Sequence, residues 1–407
     1  MKNLKSIVRV VFKMGYLQKS SDRNIAIEFY DYCLKYGYTS KNCERLTTEN
    51  VYQMLYVCWT NRTKEKRYNY DAFLFEQNAG AELEEKAEQV AKLTWSPGGY
   101  KAFQVYHPTR TINAPLYPDR ILEQWLTERY IIPFWKEKIL PNNMACQQEK
   151  GPHKAMEIIK EALTRCYEKY GKNFWFFQGD MQGYYDNISQ AYVKSIFEGM
   201  DPYGYFLFCN IVDSWEETDC YAKQKDPDGK YGFPKGNLPS QWVGITTLNK
   251  LDHLIDERDD CLFFIRYMDD FLCFFATKKS CIDCKSFTER YLAENELGVR
   301  LHPRKTAYAP ITRGFNFCGW HYRLRDDGSI EVKLRQDKKT LKKKEMKSKQ
   351  KAYETGKISW DNVTDSVQST FAHYKHGDTK GLRKYMCNRY RFQRKNNIDN
   401  DFHRRKL

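Results

Sequence analysis

The chain reads as an α+β protein, with helices towards both ends and short strands between them, and three observations predict this. Before residue 96, apolar positions recur every three to four residues, and after Leu334 the chain reads as basic helices. From Pro97-Gly98-Gly99 onward, short apolar and aromatic runs punctuated by Gly and Pro take over. Within that strand region lies Cys261 to Phe275, CLFFIRYMDDFLCFF. Its two runs of Phe, Ile and Leu flank a four-residue tip, Tyr267-Met268-Asp269-Asp270, which predicts a hairpin.

In order along the chain, the spacing predicts helices over Ile25–Tyr36, Val51–Trp59 and Leu83–Leu93, the second started by Thr47-Thr48-Glu49-Asn50. The cluster Arg62, Lys64, Lys66 and Arg67 suits a solvated face as well as a nucleic-acid contact. Lys101–Tyr106 and Arg110–Ala114 read as strands around a turn at His107-Pro108-Thr109. A helix is expected over Ile121–Ile132, ended by Pro133, and another over Met156–Tyr170 after Lys150-Gly151-Pro152. Asn173–Phe177 is an apolar strand running into Gln178-Gly179-Asp180. Then come a helix from Ser189 to about Glu198 and a polar stretch, Glu216–Lys230, that reads as a surface insertion. A Gly- and Pro-rich loop, Gly232–Gln241, opens the helix Trp242–Ile255. Beyond the hairpin, Phe287–Leu297 reads as a helix, and Gln336–Thr355, Ser359 to about Tyr374 and Leu382–Phe392 as the basic C-terminal helices.

With 407 residues the chain is long enough for two or three domains. Its formal charge of +15 calls for an anionic partner. From Glu331 to Leu407 there are 22 Lys and Arg against 9 Asp and Glu, so this tail carries +13 of the total. Lys338–Lys351 has almost no apolar face, which favours nucleic acid over a membrane surface. The 13 cysteines are scattered, several of them inside apolar runs, as expected of reduced cytoplasmic thiols. Cys281 and Cys284 form a CxxC without a second pair, so a zinc ribbon is not expected. No secretory leader and no membrane span are read from the sequence.

Two adjacent carboxylates on a hairpin tip repel each other beside an apolar sheet, and a divalent cation relieves that repulsion. Oxygen donors of this kind suit Mg²⁺ or Mn²⁺. A solvated Asp-Asp turn is the alternative. Two-metal phosphoryl chemistry draws carboxylates from more than one strand, so a second apolar strand ending in Asp is expected. The run ending at Asp180 supplies it.

At these residues the chain resembles a reverse transcriptase. Asp180, four residues, Tyr185 and then Asp186-Asn187-Ile188 is similar to the first palm motif of that family, and Tyr-Met-Asp-Asp at 267–270 to its catalytic hairpin. The resemblance implies that Asp180 and Asp269 bind two Mg²⁺ ions, with Asp270 a neighbouring ligand and the Met181 carbonyl completing one coordination sphere. It implies that Tyr185 is a steric gate, a ring under the sugar that leaves no room for a 2′-hydroxyl, with Asp186 structural. The run Pro108-Thr109-Arg110-Thr111-Ile112-Asn113-Ala114-Pro115, continuing to Asp119-Arg120, is similar to the fingers of bacterial members. Arg110 then closes on the triphosphate with Lys101 assisting, while Asp119 and Arg120 fit a structural ion pair equally well.

The loop at Lys235-Gly236 and Ser240-Gln241 resembles the Gly-x-x-x-Ser-Gln form found in diversity-generating retroelements, although those enzymes usually carry an aliphatic residue where Lys235 stands. Lys235, Gly236 and Gln241 are thereby expected to face the incoming nucleotide. Lys305, in Gly298-Val299-Arg300-Leu301-His302-Pro303-Arg304-Lys305, matches a lysine beside the leaving pyrophosphate, or else is a plain surface lysine. Gly314–Trp320 resembles the primer-grip hairpin. The implied architecture is a right-hand polymerase: a helical extension over 1–96, fingers over 97–170, an RRM-like palm over 171–324 (200–255 partly facing the fingers) and a basic helical thumb over 325–407. The implied partners are an RNA template and a DNA primer or product, with an accessory protein or a structured non-coding RNA, in a bacterial cytoplasm. An antiphage-defence reverse transcriptase is the alternative role, and a catalytically inactive nucleic-acid scaffold a third. No segment resembles a nuclease, so degradation of the RNA strand is not expected.

Overall fold

A computed structural model describes residues 23–63, 70–106 and 109–393, with isolated residues before 23. Lys64, Lys66, Arg67, the turn at His107-Pro108 and the tail from residue 394 lie outside the described residues. The chain divides into two compact units whose segments alternate. Met1–Cys146, Asp180–Leu254 and Ser286–Pro303 form the first unit; Gln147–Gly179, Ile255–Lys285 and Arg304–Leu407 form the second.

The first unit begins with helices Arg23–Tyr36, Thr48–Thr63, Tyr70–Glu76 and Ala79–Ala91. Val51, Leu55, Leu83, Ala87 and Val90 are fully buried as the second and fourth of these pack together. A two-stranded hairpin follows, β1 (Tyr100–Val105) antiparallel to β2 (Arg110–Pro115). The helix expected over Ile121–Ile132 starts earlier, at Tyr117, and Pro133 does not end it. A π-helical turn at Thr127–Ile131 widens the ladder, the Ile132 N–H reaching back to the Thr127 carbonyl. The wider turn takes in a proline, which has no N–H of its own, without breaking the rod.

Pro202–Asp213 is a helix that the sequence does not announce; Asp201 caps it, its side chain accepting from the Tyr203 and Gly204 N–H groups. The stretch Glu216–Lys230 is less of a surface insertion than expected. It contains the helix Tyr221–Lys225, buries Cys220 and Ala222, and gives the Ala222 N–H to the Asn187 side chain at 2.9 Å. The single helix expected over Trp242–Ile255 is two, Leu238–Thr246 and Asn249–Asp256. The second opens at Asn249, whose side chain accepts from the Leu140 N–H and donates to the Lys138 carbonyl.

The second unit is built on a four-stranded sheet in the order β4-β5-β3-β6, with β3 at Trp175–Asp180, β4 at Cys261–Tyr267, β5 at Asp270–Phe275 and β6 at Ala307–Pro310. The helix Pro152–Tyr170 packs on β4 through a face that includes Met156, Ile159 and Leu163. Side chains alternate across the sheet, as a pleat requires. Phe177 and Phe264 meet Phe271 on one face, and Phe174 and Phe263 meet Phe274 on the other. Each such buried ring contributes roughly 1.5–3 kcal/mol of apolar burial.

A second sheet orders β7 (Phe315–Phe317), β8 (Trp320–Leu324) and β9 (Ile330–Leu334), and the C-terminal helices begin at Gln336, where the sequence placed their start. These run over Gln336–Glu354, Trp360–Tyr374 and Lys380–Arg389. Among the described residues no helix is long and apolar enough to cross a membrane, and all 13 cysteines are free.

Candidate active site

The hairpin tip is tighter than the sequence suggests. Tyr267 pairs with Asp270, leaving only Met268 and Asp269 to turn the chain. Met268 takes a φ of 57°, which is costly for a side chain of that size and matches the left-handed first position of a two-residue hairpin turn. The fully buried Arg266 braces it, Nη1 donating to the Met268 carbonyl at 2.7 Å. The tip that carries Asp269 and Asp270 is thus braced from within the sheet.

β3 lies beside β5, and Gly179 is what lets it come so close. A Cβ at Gly179 would stand 2.2 Å from Cε1 of the Phe271 ring. Gly179 and Phe177 thus share the sheet face of Phe271, and the residue after Gly179 and the residue before Phe271 point to the other face. Those residues are Asp180 and Asp270. On that same face Gln178 donates to the Asn316 carbonyl of β7 at 2.7 Å. The turn after β7 places Cys318, at a φ of 48°, within electrostatic reach of Asp270, and its thiol pKa is raised by burial first and by that carboxylate second.

In the first unit, the chain following β3 is held by a short ladder. The His302 N–H donates to the Asp180 carbonyl at 2.7 Å, Met181 bridges Leu301, and the Gln182 N–H donates to the Arg300 carbonyl. Gly183, left-handed at φ 51° and ψ 46°, starts the short helix Tyr184–Asn187. Tyr185 is half-buried, its ring against the helix Leu238–Thr246. A Cβ at Gly244 would lie 2.5 Å from the Tyr185 hydroxyl oxygen, so only a glycine leaves room for the ring. The Phe233 N–H donates to the Tyr185 carbonyl at 3.0 Å.

The loop expected to face a nucleotide is fixed at both ends. The Asn113 N–H of β2 donates to the Lys235 carbonyl at 2.8 Å, and Gly236, at φ 149°, packs against the Asn113 backbone where a Cβ would come within 2.8 Å. The buried Asn237 caps the next helix through the Ser240 N–H and donates to Glu123. Burial, then the neighbouring Asp119, pushes the Glu123 pKa up to about 8, so this carboxyl is mostly protonated at neutral pH.

The remaining candidates are more dispersed. Lys235 is bound to Asp186 in an ion pair. Lys101 pairs with Asp71 at 2.7 Å, while Arg110 is exposed at the opposite end of the hairpin, roughly 13 Å away at the strand rise. Gln241 is exposed on the first turn of its helix, and Lys305 lies in an exposed turn before β6. Asp119 accepts from the Trp95 indole and the Gly98 N–H and faces Lys86, whereas Arg120 bonds the Pro115 carbonyl, so the two do not pair with each other. Sequence reasoning missed Gly179, Gly244, Arg266 and Glu123. The two glycines carried a readable signal, since each lies close to a singled-out residue.

Among the described residues no three His, Cys, Asp or Glu side chains form a ready-made metal cluster. Asp180, Asp269 and Asp270 each have an interaction within the chain. As a donor set, carboxylates and a backbone carbonyl fit a hard divalent cation rather than zinc.

No family model matches the chain. Over 244 residues, or 52% of its length, it is 20% identical to Protein YkfC of Escherichia coli strain K12, of which the match spans 62%. Among solved structures it is similar to apo telomerase from Candida tropicalis, at 12% identity and a TM-score of 0.41 over 59% of this chain and 49% of that one. It is also similar to telomerase from Candida albicans in complex with a fragment of telomeric RNA, at 14% identity and a TM-score of 0.38 over 58% and 45%. The chain therefore spans less than two thirds of the curated relative and about half of each telomerase chain.

Proposed function

We propose that this chain is a nucleic-acid polymerase of the reverse-transcriptase type, extending a primer 3′-hydroxyl with deoxynucleoside triphosphates on an RNA template. The observation that supports it best is the close approach of β3 and β5 at Gly179 and Phe271, the residues that directly precede Asp180 and directly follow Asp270 in the chain. In this reading Asp180, Asp269, Asp270 and the Met181 carbonyl hold two Mg²⁺ ions, with Mn²⁺ an acceptable substitute. Bound there, the ions supply charge neutralisation at the attacking hydroxyl and at the leaving phosphate.

The primer oxygen forms a bond to the α-phosphorus as the bond to the pyrophosphate oxygen breaks. Arg110 receives the triphosphate through its fork of donors. Gly236 lets the backbone approach the new base pair, and Tyr185 lies under the sugar. Lys305 neutralises or protonates the departing pyrophosphate. The lysines of Gln336–Glu354 grip the product duplex through its phosphates.

The Gly236-x-x-x-Ser240-Gln241 pattern supports a diversity-generating retroelement, with a template RNA and an accessory protein as partners. Lys235, in place of an aliphatic residue, favours the second reading, antiphage defence with a structured non-coding RNA. Sequencing RNA that co-purifies with the chain separates them: a repeat pair differing at adenines supports the first, a structured RNA without repeats the second. The enzymatic reading is tested by primer extension with dNTPs and Mg²⁺ or Mn²⁺. Asp269→Ala is expected to lose on the order of 10³-fold in rate. A wild type inactive on every template leaves a nucleic-acid scaffold as the better account.

A further inference from the structure

Lys235 is the residue of its loop that departs from the family pattern, and the structure gives it a specific partner. Its Nζ stands 2.6 Å from Asp186 Oδ1 and 2.8 Å from Oδ2, with both side chains one-third exposed. An ammonium shared between two carboxylate oxygens is already neutralised. To serve a phosphate it would have to abandon Asp186, the residue that follows Tyr185.

We propose that the Lys235–Asp186 pair determines sugar specificity, tying the nucleotide-facing loop to the turn that carries Tyr185 and so fixing the height of that ring. The inference rests on the polymerase reading. Tyr185 is held by its ring against Gly244 and by its carbonyl, which accepts from Phe233. The loop is held to β2 through Asn113 and Gly236, and to Glu123 through Asn237. The ion pair joins the two sets at the residue next to the ring. Without it, the link rests on main-chain bonds from Phe233 to Tyr185 and from Gly232 to Ile188, and the ring gains freedom to drop away from the sugar.

The effect is one of positioning, so it is read in the ratio of kcat/KM for a deoxynucleotide to that for the matching ribonucleotide, in single-nucleotide primer extension. Lys235→Met and Asp186→Asn are expected to lower the ratio about fivefold, the equivalent of ~1 kcal/mol for a partly exposed pair. The change should fall mainly on the ribonucleotide KM. Lys235→Arg, and the exchange Lys235→Asp with Asp186→Lys, should return the ratio towards that of the wild type. Loss of structure alone lowers kcat for both sugars together and leaves the ratio unmoved.

Tyr185→Ala provides the positive control. If it lowers the ratio while both single variants match the wild type, or if the exchanged pair discriminates no better than the singles, the inference is wrong. Should either single variant fail to fold, Lys235→Gln removes the charge at similar length; a ratio within twofold of wild type then counts against the pair. A wild type that incorporates no nucleotide on any template removes the polymerase reading itself, and this inference with it.

Discussion

Replacing Gly179 with alanine tests the juxtaposition on which the proposed site depends. The added Cβ would lie 2.2, 2.3 and 3.0 Å from Cε1, Cζ and Cδ1 of Phe271, whereas ordinary contacts begin at 3.4 Å. The ring must therefore retreat by about 1.2 Å, or the strands must part by a similar amount. Retreat is obstructed, because Phe271 is 1% exposed and packed between Phe177 and Phe264, with ring centroids 5.4 and 6.0 Å away.

Overpacking of this kind costs about 1–3 kcal/mol. Because Asp270 is bonded directly to Phe271, the displacement also reaches the carboxylate. A shift near 1 Å in a reacting constellation costs on the order of 10²-fold in rate. Urea denaturation and primer extension measure the two effects separately. Gly381→Ala is the control, since nothing stands within 4 Å of its Cβ in the first turn of the helix Lys380–Arg389, and a change of no more than about 0.5 kcal/mol is expected there. A Gly179→Ala protein with wild-type stability and wild-type extension would refute the reasoning.

Two more predictions concern charge. Glu123 holds its proton up to about pH 8 in the folded chain but ionises near pH 4.3 when unfolded, so the folded state binds the extra proton between those values. Its contribution to stability therefore falls as pH rises through that window, by at most about 1.4 kcal/mol per pH unit. Glu123→Gln removes this slope, and the melting-temperature gap between variant and wild type should widen from pH 5 to pH 8; parallel curves would contradict it. Lys344, Lys347 and Lys351 are exposed at spacings of three and four, which puts them on one face of Gln336–Glu354. Changing all three to glutamine should weaken binding to an RNA–DNA duplex and reduce the slope of log K against log salt by about 0.7–0.9 for each phosphate no longer neutralised. An unchanged slope places the nucleic-acid grip elsewhere.

The strands bearing the aspartates could be read from the sequence because buried strands are nearly continuous apolar runs: Phe176-Phe177 before Asp180, and Phe271 to Phe275 after Asp270. Where the sequence misled, a neighbour had intervened. Pro133 looked like a stop, but a π turn one residue upstream accommodates it. Pro202–Asp213 went unread because its half-buried positions Tyr205, Phe206 and Cys209 are as apolar as the buried ones, which blurs the helical period in the sequence. The Lys235–Asp186 pair joins positions 49 apart, and nothing in either local sequence specifies the partner. Glu123 has the composition of a surface residue; only its burial beside Asp119 and Asn237 reveals a neutral acid.

The alternation of the two units along the chain bears on how the protein can be made. β6 closes the free edge of β3, and Phe177 meets Tyr308 only after 131 further positions have been synthesised. Until Pro310 has left the ribosome, one flank of the central sheet stays open, with its N–H and C=O groups unpaired beside a Phe-rich surface. Maturation is therefore late and slow rather than stepwise from the N-terminus, as the long-range pairing demands. Nascent chains stalled short of that point are the ones expected to stick together.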